Sequence, residues 1–350
     1  MKLPEDRFVE IERLRLRYWL EGETGADLVF IHGIGGAVDV WRRQFEHLQG
    51  THRMLALDLP GCGRSAIPAP YPPDPLRMLA AAVRGVMQAV GMERATLVGS
   101  SLGGAVAVEF AMRWPEMVSS LVLIAPAGMT HQVAWSLRLM TLPGVGELLT
   151  RPSRARTAQA IRQCVADPAG VEEDDIDRAF AMASLPGAQA AFLRLLRAYA
   201  SLFGLDRREV QRLRQGMRAV QAPTLLIWGG RDRIIPLSAA YVALENFPNA
   251  GLIVRPESGH LVFVDEPAWF NRTLVEFVQA PEAMLAALRT QTSAPAVEPF
   301  PVPQLARLRA LPAMTASVQM NPHARTLAAL ALLALVALPV GRGAMRRPWH

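Results

Sequence analysis

The sequence predicts an α/β fold, a mainly parallel sheet covered by helices on both faces and interrupted by a helical insertion. Three observations point to it. Short apolar runs recur along the chain and stop at glycine-rich turns, as strands buried on both faces do. Segments with apolar residues every three or four positions lie between them. From about residue 128 to residue 217 the strand runs give way to a stretch rich in Leu, Ala and Arg.

In chain order, residues 8–20 alternate loosely (Phe8, Ile11, Leu14, Leu16, Tyr18, Leu20) and read as a hairpin of two antiparallel strands. Residues 28–31 are a continuous apolar run stopping at His32-Gly33. Asp39 is placed to cap a helix with Trp41, Phe45 and Leu48 on one face. Residues 54–59 form the next strand. Asp74-Pro75 then supplies a cap with proline at the first helical position, and Leu76, Leu79, Val83, Val86, Met87 and Val90 mark a buried stripe ending at Gly91. A strand over 95–98, a helix over 102–113 and a strand over 118–124 follow. After the insertion, residues 224–228 and 252–254 read as strands, with a helical region near 241–247 and a last helix near 269–278. The expected organisation is a core of residues 1–127 and 218–280, a helical lid over 128–217, an Ala/Pro-rich linker over 281–325 and a tail over 326–350.

Composition limits the function. Hydrophobic residues make up 51% of 350, enough for one large packed domain. The formal charge of +6 comes entirely from six arginines after Glu298, so the region before them is neutral and offers no electrostatic footprint for nucleic acid. Cys62 and Cys164 are the only thiols, which gives neither a disulfide framework nor a zinc site. No metal site is expected, since the seven histidines lack an HExxH pairing. The charged start MKLPEDRF lacks the apolar run of a signal peptide, so a cytoplasmic protein is expected. In the tail, residues 326–341 are sixteen uncharged positions flanked by arginine. A bilayer span needs about 20, so at most a weak membrane association through residues 326–350 is expected.

The chemistry lies in four blocks. Gly99-Ser-Ser-Leu-Gly103 is a G-x-S-x-G pentapeptide between a strand and a helix, the context of a nucleophile elbow centred on Ser101. Gly99 and Gly103 are needed where neighbouring backbone closes in. The amide of Leu102, at the helix N-terminus, points toward the space where negative charge develops. A serine hydroxyl needs a base, and His260 follows the 252–254 strand in a loop placed to reach it. Asp232, just past the 224–228 strand, can hold the other imidazole nitrogen. Asp265 and Glu266 read as surface or helix-capping acids. His32-Gly33-Ile34-Gly35-Gly36 ends an earlier strand and can bring the amide of Ile34 beside that of Leu102, with Gly33 allowing the approach. His32 reads as a brace for that loop. G-x-G-x-x-G and GK[ST] are absent there, so neither a dinucleotide nor a nucleotide phosphate is expected.

These blocks, with Asp58-Leu-Pro-Gly-Cys-Gly-Arg-Ser65 and Asp265-Glu-Pro267, resemble the α/β-hydrolase superfamily in its branch of lidded esterases and lipases, over roughly residues 8–279. The resemblance implies an eight-stranded, mostly parallel sheet, a Ser101–His260–Asp232 mechanism and no cofactor. It also implies that Asp58–Ser65 shapes a loop near the site and that Cys62 is structural. Hydrolysis of a carboxylic ester of a small or lipophilic substrate is the expected activity. The nearest rival is a carbon–carbon hydrolase of ring-cleavage products, although such enzymes commonly carry tryptophan after the histidine and this chain has Leu261. Ser101 argues against epoxide hydrolases and dehalogenases, which use aspartate at the elbow. Acyl transfer, cofactor-free peroxide chemistry and a non-catalytic ligand-binding homologue stay open. The expected partner is a small-molecule substrate.

Overall fold

A computed structural model describes residues 3–72 and 74–291. Eight strands form one sheet: β1 (Arg7–Ile11), β2 (Leu14–Glu21), β3 (Asp27–Ile31), β4 (Arg53–Leu57), β5 (Ala95–Ser100), β6 (Val118–Ile124), β9 (Thr224–Gly229) and β10 (Ala250–Arg255). Their order across the sheet is β1-β2-β4-β3-β5-β6-β9-β10, and β2 alone runs against the others. The inserted hairpin supplies β7 (Ala200–Ser201) and β8 (Gly204–Leu205).

Alternation along each strand explains the apolar runs. Val29, Ile31, Leu97, Leu121, Leu123, Leu226 and Trp228 pack on one face, against α2 (Pro75–Ala89) and α3 (Leu102–Arg113). Leu28, Phe30, Val98, Val122, Ile124, Leu225 and Ile227 pack on the other, with α1 (Arg42–Leu48) and α12 (Pro267–Gln279). A strand buried on both faces leaves no polar position in its period of two, hence the unbroken runs. Asp74 accepts from Arg77 N–H as its place before Pro75 predicts. Asp39 does not cap α1. It lies within a 3-10 turn, Val38–Trp41, and accepts from Arg17 Nη1 at 2.8 Å instead.

Between β6 and β9 the chain makes α4 (Trp135–Met140), α5 (Val145–Leu149), α6 (Arg154–Cys164), α7 (Glu173–Ala183), α8 (Ala188–Tyr199) and α9 (Arg207–Met217). Helix α9 sets Leu213 and Met217 into the layer that holds α3, so the end of the 128–217 stretch belongs with the helices covering the sheet. After β9 come α10 (Ser238–Asn246), α11 (Val262–Asp265), α12 and α13 (Pro281–Gln291). The last corrects the expected linker boundary at residue 281. Leu285 is fully buried, and a Cβ on Gly251 of β10 would lie 2.9 Å from its side chain. Pro281 starts a helix rather than a tether because it sits at a first helical position, where its missing N–H costs nothing.

Among the described residues no single helix is long and apolar enough to cross a membrane; α7 and α8 together pass on length and composition but break at 86°. The expected membrane association of residues 326–350 lies outside the described residues, as does the rest of the predicted linker.

Candidate active site

The elbow is built by exclusion of side chains. A Cβ on Gly99 would stand 2.5 Å from the carbonyl oxygen of Gly103, and one on Gly103 would stand 2.1 Å from that of Ile31. Only glycine lets β5 turn into α3 that tightly. Ser101, at the apex, takes φ 54° and ψ −117°, a conformation costing about 1–3 kcal/mol that persists only where neighbours hold it. Its N–H donates to Ile124 O at 2.9 Å, and its carbonyl accepts from Ala127 N–H at 2.9 Å. The turn is thus pinned to the end of β6, and the hydroxyl stands clear of the sheet.

Beside it lies the His32–Gly36 loop. A Cβ on Gly33 would approach Ser101 Cβ to 3.2 Å, which shows how closely the loop flanks the serine. His32 is fully buried; its Nε2 accepts from Leu59 N–H at 3.0 Å, so Nδ1 carries the proton and donates to Gly33 O at 2.7 Å. Burial pushes the imidazole down, against the pull of Asp58, which keeps it neutral in this role. The loop is therefore braced by His32, as its position predicts. The Ile34 and Leu102 amides have no acceptor in the hydrogen bonds of the described residues, leaving both available to an oxygen next to Ser101.

Under this loop Asp58 accepts from Val38 N–H at 2.7 Å and Arg64 N–H at 2.8 Å, and Arg17 lies 3.3 Å away. A Cβ on Gly63 would collide with that carboxylate at 2.1 Å. Cys62 is buried and its thiol is pushed up to about 12 by desolvation, then by Asp58, so it carries no thiolate near neutral pH.

Asp232 and His260 meet directly. His260 Nδ1 and Asp232 Oδ2 are 2.8 Å apart, while Asp232 Oδ1 accepts from Ile234 N–H at 2.7 Å and Ile235 N–H at 2.9 Å. Both residues are buried, so the carboxylate is fixed by backbone on one oxygen and fixes the imidazole with the other. The two loops are pressed together, since a Cβ on Gly229 would fall 1.9 Å from Gly259 O. Such an arrangement leaves Nε2 as the free base, with Nδ1–H held by the acid. The structure joins Asp232 to His260 and joins Ser101 to Ile34 and Leu102 along one cavity. No hydrogen bond links Ser101 Oγ to His260 among the described residues, as is common before substrate tightens such contacts.

Two functional features escape the sequence. Asp265 is no surface acid. It accepts from Gly259 N–H at 2.7 Å and from Ala166 N–H at 3.0 Å, stitching the His260 loop to the insertion just after α6. Leu261 N–H adds a bond to Cys164 O at 3.0 Å. Glu266 pairs with Arg255 and accepts from Ser258 Oγ, holding the loop from the other side. The second feature is the cavity at Ser101. Its wall is almost wholly aliphatic, from Leu76, Val133, Leu137, Leu196 and Leu213 among others; its ionisable side chains are Tyr199, Asp206 and Glu209. No sequence signal marks these wall residues, which lie on four separate segments. No group of three or more metal-binding side chains occurs among the described residues.

Comparison with known proteins adds the following. A family profile described as alpha/beta hydrolase fold matches residues 28–267. The dihydrolipoyllysine-residue acetyltransferase component of the acetoin cleaving system from Pseudomonas putida is 32% identical over 76% of this chain and 67% of that protein. The 2-hydroxy-6-oxo-6-phenylhexa-2,4-dienoate hydrolase of Comamonas testosteroni is 27% identical over 75% of this chain and 91% of its own. A crystal structure of a membrane phospholipase A, a bacterial virulence factor, superposes with a TM-score of 0.63 and 26% identity, covering 79% of this chain and 86% of that one.

Proposed function

Because the chain belongs to the alpha/beta hydrolase fold family, we propose that it is a serine hydrolase of uncharged, lipophilic carboxylic esters, with Ser101, His260 and Asp232 as its triad. The observation that carries this reading is a serine at positive φ opening on an aliphatic cavity whose lining holds no lysine or arginine. Ser101 Oγ attacks the acyl carbonyl as its proton passes to His260 Nε2. Ile34 and Leu102 N–H hold the oxyanion, each donor worth about 10²–10³ in rate. His260 returns the proton to the leaving alcohol, and water activated by the same imidazole releases the acid. Within residues 128–217 the part before α9 is assigned the lid, and α9, in the layer of α3, walls the cavity beneath it.

A second reading has its own support. The Comamonas testosteroni relative, 27% identical and a hydrolase of a ring-cleavage dienoate, supports carbon–carbon cleavage over ester hydrolysis. A dienoate carries a carboxylate, however, and the described cavity lining offers no lysine or arginine to pair with it. The discriminating experiment offers p-nitrophenyl esters of graded chain length and a ring-cleavage dienoate to the wild type and Ser101→Ala. Ester turnover lost in Ser101→Ala supports the first reading. Faster cleavage of the dienoate than of any ester moves the assignment to the second.

A further inference from the structure

The loop that carries Ile34 is tied at both ends to two consecutive residues. At its start His32 Nε2 accepts from Leu59 N–H at 3.0 Å, and at its end Val38 N–H donates to Asp58 Oδ1 at 2.7 Å. Asp58 is in turn gripped by Arg17 of β2. Arg17 O accepts from Asp58 N–H at 2.9 Å. The Arg17 N–H donates to Ser65 Oγ at 2.9 Å, and that hydroxyl donates to Asp58 O at 2.7 Å. The guanidinium is buried, and its Nη1 stands 2.8 Å from Asp39 Oδ2 and 3.3 Å from Asp58 Oδ2. Asp39 directly follows Val38, so one cation holds both partners of the bond that closes the loop. Around this pair, Arg178 lies 3.7 Å from Asp39 Oδ1, and Asp6 accepts from Arg17 Nε at 2.6 Å. Two carboxylates this close in a buried place repel strongly unless a cation lies between them. Arg17 is not among the residues lining the cavity at Ser101, so contact with substrate does not account for it.

We propose that Arg17 is a positioning residue for the oxyanion hole. By cancelling the repulsion between Asp39 and Asp58 it keeps the Val38 end of the loop closed on Asp58, and with it the Ile34 amide beside that of Leu102. The inference rests on reading Ser101, Ile34 and Leu102 as the reacting site. Stability alone is a poor reason for such a cluster, because apolar replacements of buried ion pairs are often neutral or stabilising. Holding one loop in register gives it a use.

The test compares two ligands of one chain length, a trifluoromethyl ketone and the matching secondary alcohol. Ser101 Oγ adds to the carbonyl carbon of the ketone, its proton passing to His260 Nε2 and the carbonyl oxygen becoming an oxyanion; the alcohol forms none. In Arg17→Met the ketone should bind about 10²-fold more weakly, while the alcohol binds as before. On p-nitrophenyl esters kcat should fall by a similar factor with KM little changed. Adding Asp39→Asn to Arg17→Met removes the repulsion and should restore most of the ketone's affinity. Equal losses for ketone and alcohol, an unchanged ketone affinity, or a double variant no better than Arg17→Met each overturns the inference. Should Arg17→Met not fold, the double variant still decides. It is expected to fold and to bind the ketone nearly as the wild type does, and failure in either respect sinks the assignment. Ketone binding needs no ester turnover, so a wild type that cleaves no ester defeats the ester reading alone. A wild type that binds the ketone no better than the alcohol defeats the reading of Ser101 and this inference together.

Discussion

The elbow end of the cavity and its helical wall are made by different means. At the elbow, backbone does the work: Gly99, Gly103 and Gly229 sit where a single Cβ would strike a carbonyl oxygen, and Asp232 is held by two amides. At the wall, the shape comes from side-chain volume, Leu137, Leu196 and Leu213 meeting from three helices. The first kind of construction tolerates almost no substitution, because a carbonyl oxygen cannot rotate away. The second tolerates many, each with a change of shape. Chemistry and selectivity are therefore separable in this molecule, and that separation can be attacked from either end.

The largest effect belongs to the elbow end. Asp232→Asn keeps the geometry but presents the wrong hydrogen-bonding pattern to His260, and ester turnover should fall about 10⁴-fold with an unchanged chain-length optimum. A shift of that optimum would break the separation. Asp265→Asn comes next, because it leaves one acceptor too few for the Gly259, Ala166 and Asp167 amides. Stability should drop by about 1–3 kcal/mol, and kcat should fall more than KM rises, since His260 loses its anchor and the wall does not. Burial, opposed by those amides, holds the Asp265 carboxyl above its usual range. The folded state therefore binds that proton more readily than the unfolded chain, and this contribution to stability is present at low pH and lost as pH rises through the raised value. In urea melts from pH 3 to 7 the stability advantage of the wild type over Asp265→Asn should therefore be largest at low pH and narrow as pH rises.

Smaller effects test the wall. Leu137→Trp should move the optimum to shorter acyl chains, each methylene excluded costing about 1–3 kcal/mol of discrimination, while the shortest ester is cleaved at nearly the wild-type rate. A loss common to all chain lengths would mean that wall and elbow are coupled. The smallest effect expected is none. Cys62 is buried and Cys164 half-buried, and both thiols are pushed up to about 12 by desolvation first. Iodoacetamide at pH 7.5 should leave activity intact and label both thiols only after denaturation.

This difference in construction also explains what could be read in advance. Ser101, Asp232 and His260 stand out because the glycines around them are required by backbone contacts, and such requirements leave a local pattern in sequence. The strands are legible for a similar reason: burial on both faces empties residues 28–31 and 121–124 of polar side chains. Asp39 misleads because a cap signal is local, while its actual partner, Arg17, comes from β2, 22 residues earlier. Asp265 is silent for the same cause, since its partner Ala166 lies 99 residues away. Leu285 shows the converse error. A few alanines around a proline look like a tether until the hydrophobic underside of β10 is there to receive them.

The carboxylate of Asp265 has a consequence for anyone wishing to retune the enzyme by transplanting helices from a relative. The insertion is sewn to the His260 loop at the Cys164 carbonyl and the Ala166 amide, where even a Cβ on Gly259 would lie 2.8 Å from Ala166 N. A graft cut only at its two chain ends would carry a foreign thread to this seam. Successful chimeras will be those that keep residues 164–167 of the host, or that import the donor's histidine loop along with its helices.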